Sequence, residues 1–216
     1  MHRFKRLLWA FFLILPISEA SSEELNASQS LSNLLGSIET LTGEFTQVLS
    51  DAKGDIFETS SGYFFLAQPN KVKWVVVDPM PQEIVSNGKD LWIYDPDLEQ
   101  VIIQPYDSEL VASPANLFSS KSKDLDNEFD ITLIDSELAT KRFLLKPIAT
   151  STLYQTFYQI LKIEFQSHKP VSLELTDALE QSTRIDLKNI VVNSKLADKL
   201  FVFEIPPNID IVNHVD

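Results

Sequence analysis

The chain has 216 residues, a formal net charge of −13 and no cysteine. That length suits one domain, and the acidity repels phosphate backbones and anionic headgroups, which argues against nucleic-acid binding and charge-driven membrane docking. The lack of cysteine excludes a disulfide framework, thiol chemistry and an N-terminal cysteine able to carry a lipid anchor.

Residues 1–20, MHRFKRLLWAFFLILPISEA, pass from a basic start (Arg3, Lys5, Arg6) through an apolar stretch, Leu7 to Ile17, to small residues at Ser18 and Ala20. That order reads as a secretory signal peptide cleaved after Ala20, since the apolar stretch is shorter than the ~20 residues of a membrane span. Its removal leaves 15 basic and 30 acidic side chains in residues 21–216, a net charge of −15. The expected product is one soluble, untethered domain over 21–216, outside the cytoplasm and monomeric.

The domain is expected to begin with an amphipathic helix over 23–41, capped by Ser21 or Ser22, because Leu31, Leu34, Leu35, Ile38 and Leu41 recur at spacings of three and four. Alternation then predicts strands at Glu44–Ser50, Asp55–Glu58, Gly62–Ala67, Val72–Val77, Gln82–Ser86, Asp90–Tyr94 and Gln100–Gln104. Asn87-Gly88 suits a type I′ hairpin between two of them. Short helices are expected in the insertion around 109–120, where Pro114 follows Ser113. Strands resume at Asp130–Asp135, Arg142–Pro147, Gln159–Phe165, Val171–Glu174, Ser182–Ile190 and Phe201–Glu204, with a helical turn at Asp198–Leu200.

These elements imply a mainly β protein with an α lid. A single antiparallel sheet of about ten or eleven strands curls under its own twist into an incomplete, half-open β-barrel, covered by the N-terminal helix and the helical insertion.

The catalytic inventory is thin. There is no Gly-x-Ser-x-Gly elbow, and five glycines cannot supply a phosphate-cradling loop. After residue 20 only His168 and His214 remain, one in a polar turn and one beside the C-terminus. Asp95, Asp97 and Glu99 alternate through a turn but lack the glycine and closing glutamate of a calcium loop. The expectation is a binding protein, with no catalysis, no metal and no cofactor.

Several strands carry apolar side chains on both faces. KVKWVVVD starts with a polar face, with Val72, Trp74 and Val76 on one side and Lys71, Lys73, Val75 and Val77 on the other; GYFFLA does not alternate around Phe64, Phe65 and Leu66, and DLWIYD sets Leu91 and Ile93 opposite Trp92 and Tyr94. Such a sheet needs cover on both faces or a ligand on one. Pattern alone leaves core and cavity both open.

The motifs LTGEFTQ (41–47), SGYFFLAQPNKVKW (61–74), SNGKDLWIYDPDLEQ (86–100), SPANLF (113–118) and KLFVFEIPPNIDIV (199–212), in this order, resemble the LolA family of periplasmic outer-membrane lipoprotein carriers. The resemblance covers nearly all of the chain after residue 20. It implies a half-barrel whose cavity takes the acyl chains of lipoproteins released by an inner-membrane ABC transporter and hands them to an outer-membrane acceptor lipoprotein, LolB. The sheet side of that pocket is expected to involve Phe45, Phe65, Val72, Trp74, Val76 and Trp92, and the helix side Leu34, Ile38, Leu41, Leu117 and Phe118. A slip of one residue would exchange the faces. The resemblance also implies a lid latch before the Pro-Asn pair, where the family commonly has Arg. This chain has Gln68 there, which keeps a donor but loses the charge and the fork. A carrier of another lipid or glycolipid, or a lipid-sensing domain of the same fold, remains as an alternative reading.

Overall fold

A computed structural model describes residues 20–106, 114–119, 125–137, 139–148 and 158–213, with backbone only at 20–26 and 114–116. The expected signal segment up to residue 19, and Leu110 and Val111 of the insertion, lie outside the described residues. Helix α1 spans Ala20–Gly36 and stops five residues short of the expected end. Its open carbonyls are closed locally: the Ser37 N–H donates to Asn33 and the Ile38 N–H to Leu35, each at 3.1 Å, and the Ser37 hydroxyl donates to Leu34 at 2.7 Å. The Asn193 side chain holds the turn that follows, accepting the Glu39 N–H and donating to the Ser37 carbonyl, each at 2.8 Å. Ile38 therefore sits in the connecting turn, and Leu41, expected on the helix, belongs to the first strand.

Twelve strands follow: β1 Thr40–Ser50, β2 Ile56–Ala67, β3 Lys71–Asp78, β4 Gln82–Asn87, β5 Asp90–Asp95, β6 Gln100–Pro105, β7 Phe129–Ser136, β8 Thr140–Pro147, β9 Ile160–Gln166, β10 Lys169–Thr176, β11 Ser182–Val192 and β12 Asp210–Asn213. They form one open, curved sheet in the order β12-β6-β5-β4-β3-β2-β1-β11-β10-β9-β8-β7. Two of the expected strands fuse into β2. Phe201–Glu204 is not a strand: Asp198–Phe201 is a 3-10 helix and the chain then runs extended to β12, which pairs parallel to β6. The sheet thus has one strand more than the upper expectation, and one parallel pair at an otherwise antiparallel edge. The hairpin at 87–90 also differs from a type I′ turn. Only Gly88 is left-handed (φ +90°), and the Asn87 side chain instead accepts the N–H groups of Lys89 and Asp90, each at 2.8 Å.

The main core lies between α1 and the inner face of β1 and β7–β11. Leu31, Leu34, Leu35 and Ile38 are buried against a field that includes Ile131, Phe143, Leu145, Ile163, Phe165, Leu173 and Ile185. Each such side chain contributes about 1.5–3 kcal/mol on leaving water. The outer face of this half is polar, with Arg142 bridging Asp135 and Glu164, and Lys162 bridging Glu174. The outer face of β3–β6 is mixed: Lys73 bridges Glu83 at 2.6 Å beside the apolar Val85, Trp92, Tyr94 and Val101, and the C-terminal segment packs on it. Lys71 holds Asp198 at 2.7 Å, Phe201 is buried, and Phe203 packs on Tyr94 with ring centroids 5.4 Å apart.

Candidate functional site: a partly covered apolar groove

Strand pairing aligns a continuous row of side chains across the inner face. Gly43 lies opposite Phe64, Phe64 opposite Trp74, Trp74 opposite Ile84, Ile84 opposite Ile93 and Ile93 opposite Ile102. Directly paired residues project to the same face, so these form one apolar stripe. A second row joins Leu41, Leu66 and Val72, and a third joins Phe45, Gly62 and Val76.

Two glycines make the aromatic part of this surface possible. A methyl on Gly62 would stand 1.8 Å from the Val75 carbonyl oxygen and 2.9 Å from the Phe45 ring. One on Gly43 would meet the Ile190 side chain at 2.5 Å and the Phe64 ring at 3.2 Å. With both positions bare, Trp74 stacks on Phe45 (centroids 4.2 Å) and on Phe64 (5.2 Å).

Cover over this half is sparse. α1 lies over the other half, and among the described residues only α2, Pro114–Ser119, reaches the upper end of the groove. Its Leu117 and Phe118 are buried in the main core with Leu66 and Val72. Trp74, Val76, Ile84, Ile93 and Ile102, spread over the four strands β3–β6, are only partly buried, although Trp74 and Val76 still pack against the main core.

The end of α2 is fastened to the β2–β3 turn. The Asn70 N–H donates to the Ser119 carbonyl at 2.7 Å, satisfying one of the oxygens a helix C-terminus leaves open. The Gln68 amide reaches the Phe118 carbonyl only at 3.5 Å, the outer limit of a hydrogen bond. The turn is itself held: Ser86, fully buried, donates to the Asn70 carbonyl at 3.1 Å and accepts the Gly88 N–H at 3.0 Å. A backbone amide thus makes the shorter contact to α2, at the site where a side-chain latch is expected.

The structure brings Phe45, Val72, Trp74, Val76, Leu117 and Phe118 together on or over the groove side of the inner face, with Leu41 at its upper end on β1. Leu34 and Ile38 belong to the α1 core beside it. Phe65 and Trp92 stand elsewhere. Phe65 pairs with Lys73, and Lys73 and Trp92 both pair with Val85, which puts all of them on the outer face. The slip of one residue therefore occurs at these two positions, and Phe64, Leu66, Ile84, Ile93 and Ile102 take the inner places. For the isoleucines a signal exists in the sequence, since the short loop between β4 and β5 fixes Ile84 opposite Ile93. For Phe64 there is none, because both faces of β2 are apolar.

Ionisable groups are peripheral to the groove. Lys71, hydrogen-bonded to Asp198, holds that carboxyl below its ordinary value. Asp95 accepts the N–H groups of Asp97 and Leu98 at 3.0 Å, so its carboxylate caps its own turn. Among the described residues no three His, Cys, Asp or Glu side chains gather as a metal site, and no helix is long and apolar enough to cross a membrane.

Residues 36–204 match the family model described as "Outer membrane lipoprotein carrier protein LolA". An outer-membrane lipoprotein carrier protein of Pseudomonas paraeruginosa is 33% identical over 210 residues, covering 97% of this chain and 99% of its own. One from Hahella chejuensis is 34% identical over 196 residues, 89% of this chain and 92% of its own. Among solved structures, that of MucB superposes with a TM-score of 0.52 at 14% identity over 87% of this chain and 66% of its own, a likeness of fold alone.

Proposed function

The chain belongs to the LolA family of outer-membrane lipoprotein carriers, and on that premise we propose that the partly covered inner face of β3–β6 holds the acyl chains of its cargo. The protein is a lipoprotein carrier. The observation that supports the groove as its binding site is the partly buried apolar row Trp74, Ile84, Ile93 and Ile102, continuous through the pairing of β3–β6.

The energetics suit transport. Burial of an acyl chain is worth ~0.8 kcal/mol per methylene, on the order of 10 kcal/mol for one long chain. A carrier needs most of that term to take a lipoprotein through water, yet must let go. Leu117 and Phe118 supply an opposing term. If cargo displaces them, their burial, about 3–6 kcal/mol together, and the Asn70–Ser119 hydrogen bond are given up. The difference leaves an affinity that a receiving partner can overcome. Gln68 acts as an auxiliary to that latch, through its long contact to Phe118.

The remaining parts of the proposal concern context. Residues 1–20 direct export and are removed, and the domain works free in the periplasm without cofactor or catalysis. It receives cargo from an inner-membrane ABC transporter and passes it to the acceptor LolB. The test is to incubate residues 21–216 with energised inner-membrane vesicles that hold a labelled lipoprotein. Release of the label into a soluble 1:1 complex is expected; retention in the vesicles, while an established carrier releases it, would overturn the assignment.

A further inference from the structure

Toward the turns at 51–55, 79–81 and 96–99, the inner face of the groove changes character. Gln47 lies opposite Ser60, and Gln82 lies opposite Val76, which is itself opposite Gly62, two residues from Ser60. All three polar side chains therefore project to the same face as Trp74, just beyond it. Ser60 is only 5% exposed. Its hydroxyl, and the side-chain amides of Gln47 and Gln82, make no hydrogen bond to any described residue.

A buried hydroxyl without a partner is costly, and a small apolar residue would remove the cost. The distribution along the row is informative. From Gln47 it continues through Ile185, Leu173, Ile163 and Phe143 without a polar group. Within this row the polar side chains are those of β1 and β2, and the strands under α1 contribute apolar ones; in the next row toward the turns, Thr183 of β11 is polar.

We propose that Gln47, Ser60 and Gln82 form a subsite for the carbonyl groups at the heads of acyl chains. The inference rests on the carrier reading of the groove and deepens it. Every acyl chain, whether an ester or an amide, begins with a carbonyl oxygen that accepts hydrogen bonds. The Ser60 hydroxyl and the two glutamine NH2 groups are donors of matching chemistry. Their position fixes the direction of the cargo. The heads lie at the rim, and the chains run past Trp74 toward Ser86 and α2, the four residues from Gln82 to Ser86 covering ~13 Å of strand. The lipidated end of the cargo polypeptide leaves at the rim, away from the latch.

The test uses two probes with identical chains, dioctanoylglycerol and its diether counterpart, which lacks both carbonyls. Against the protein spanning 21–216, the diester is expected to bind about tenfold more tightly, the equivalent of one or two neutral hydrogen bonds. In Ser60→Ala combined with Gln82→Met that preference is lost through weaker diester binding, with the diether unchanged. A diester labelled with carbon-13 at its carbonyls adds a readout independent of affinity, since its C=O stretch is expected to lie lower in frequency on the wild-type protein than on the variant. Equal binding of both probes by the wild type, or equal weakening of both in the variant, overturns the subsite and leaves the carrier reading standing. Failure of the wild type to bind either probe overturns both.

Discussion

Gly62→Ala tests the link between strand register and the aromatic floor of the groove. The added carbon would lie 1.8 Å from the Val75 carbonyl oxygen, 2.8 Å from its carbonyl carbon and 2.9 Å from the Phe45 ring. Real Cβ contacts do not fall below 3.0 Å, so the oxygen must retreat by at least 1.2 Å, and it is backbone rather than a flexible tip. β2 and β3 must part there, next to the bulge between Ser61 and Gly62, with loss of one or two ladder hydrogen bonds. At about 1 kcal/mol each, with about 1–3 kcal/mol for overpacking, the cost is about 3 kcal/mol. For a domain of this size that corresponds to a fall in Tm of about 6–12 °C. The assay is thermal unfolding followed by circular dichroism, with Gly54→Ala as control. Gly54 has φ +87° but nothing within 4 Å, so its substitution costs only backbone strain, about 1 kcal/mol. Intrinsic fluorescence of the Gly62 variant is also expected to change, because Trp74 loses its fixed stack on Phe45. A Gly62→Ala protein that melts within 2 °C of wild type would refute this account of the inner face.

The remaining predictions concern the groove, the latch and pH. Ile93→Asp puts a charge in the centre of a half-exposed apolar row, and at least a tenfold loss of acyl-probe binding is expected with little change in Tm; Leu98→Asp, 69% exposed at a turn, should leave binding intact. Gln68→Arg offers a longer, charged donor to the Phe118 carbonyl and is expected to favour the closed lid, read as weaker uptake of a hydrophobic fluorescent dye; unchanged uptake would remove position 68 from the latch. Burial raises the Tyr158 phenol above the ordinary tyrosine value of about 10. Its neutral form is the one the fold accommodates, so the stability it contributes is complete below pH 10 and declines as pH rises through the folded-state value. Urea midpoints of the wild type are therefore expected to drop more steeply above pH 10 than those of Tyr158→Phe, and parallel curves would contradict this.

Much of the architecture is legible along the chain because its causes are local. Period-two alternation and turn residues mark the strands, and the Asn87-Gly88 turn, although it adopts another geometry, separates β4 from β5 where the sequence indicates. The turn that follows α1 is not legible, since Asn193, distant in sequence at the end of β11, holds it. Neither is β12, a four-residue strand with no periodicity of its own, held by its pairing with β6.

The apolar character of both faces of β2 and β5 is written in the sequence, and so is the choice between burial and binding that it poses. Tertiary structure resolves the choice differently on each face. On the outer face the C-terminal segment, anchored by Lys71 and Asp198 and carrying Phe201 and Phe203, covers Val85 and Tyr94 and makes a second core. On the inner face Ile84, Ile93 and Ile102 stay only partly buried. A one-residue change of register exchanges the two faces of a strand, and where both are apolar local preference cannot select between them. Pairing with neighbouring strands does select: Phe64 opposite Trp74 and Phe65 opposite Lys73 assign Phe64 to the groove and Phe65 to the outside.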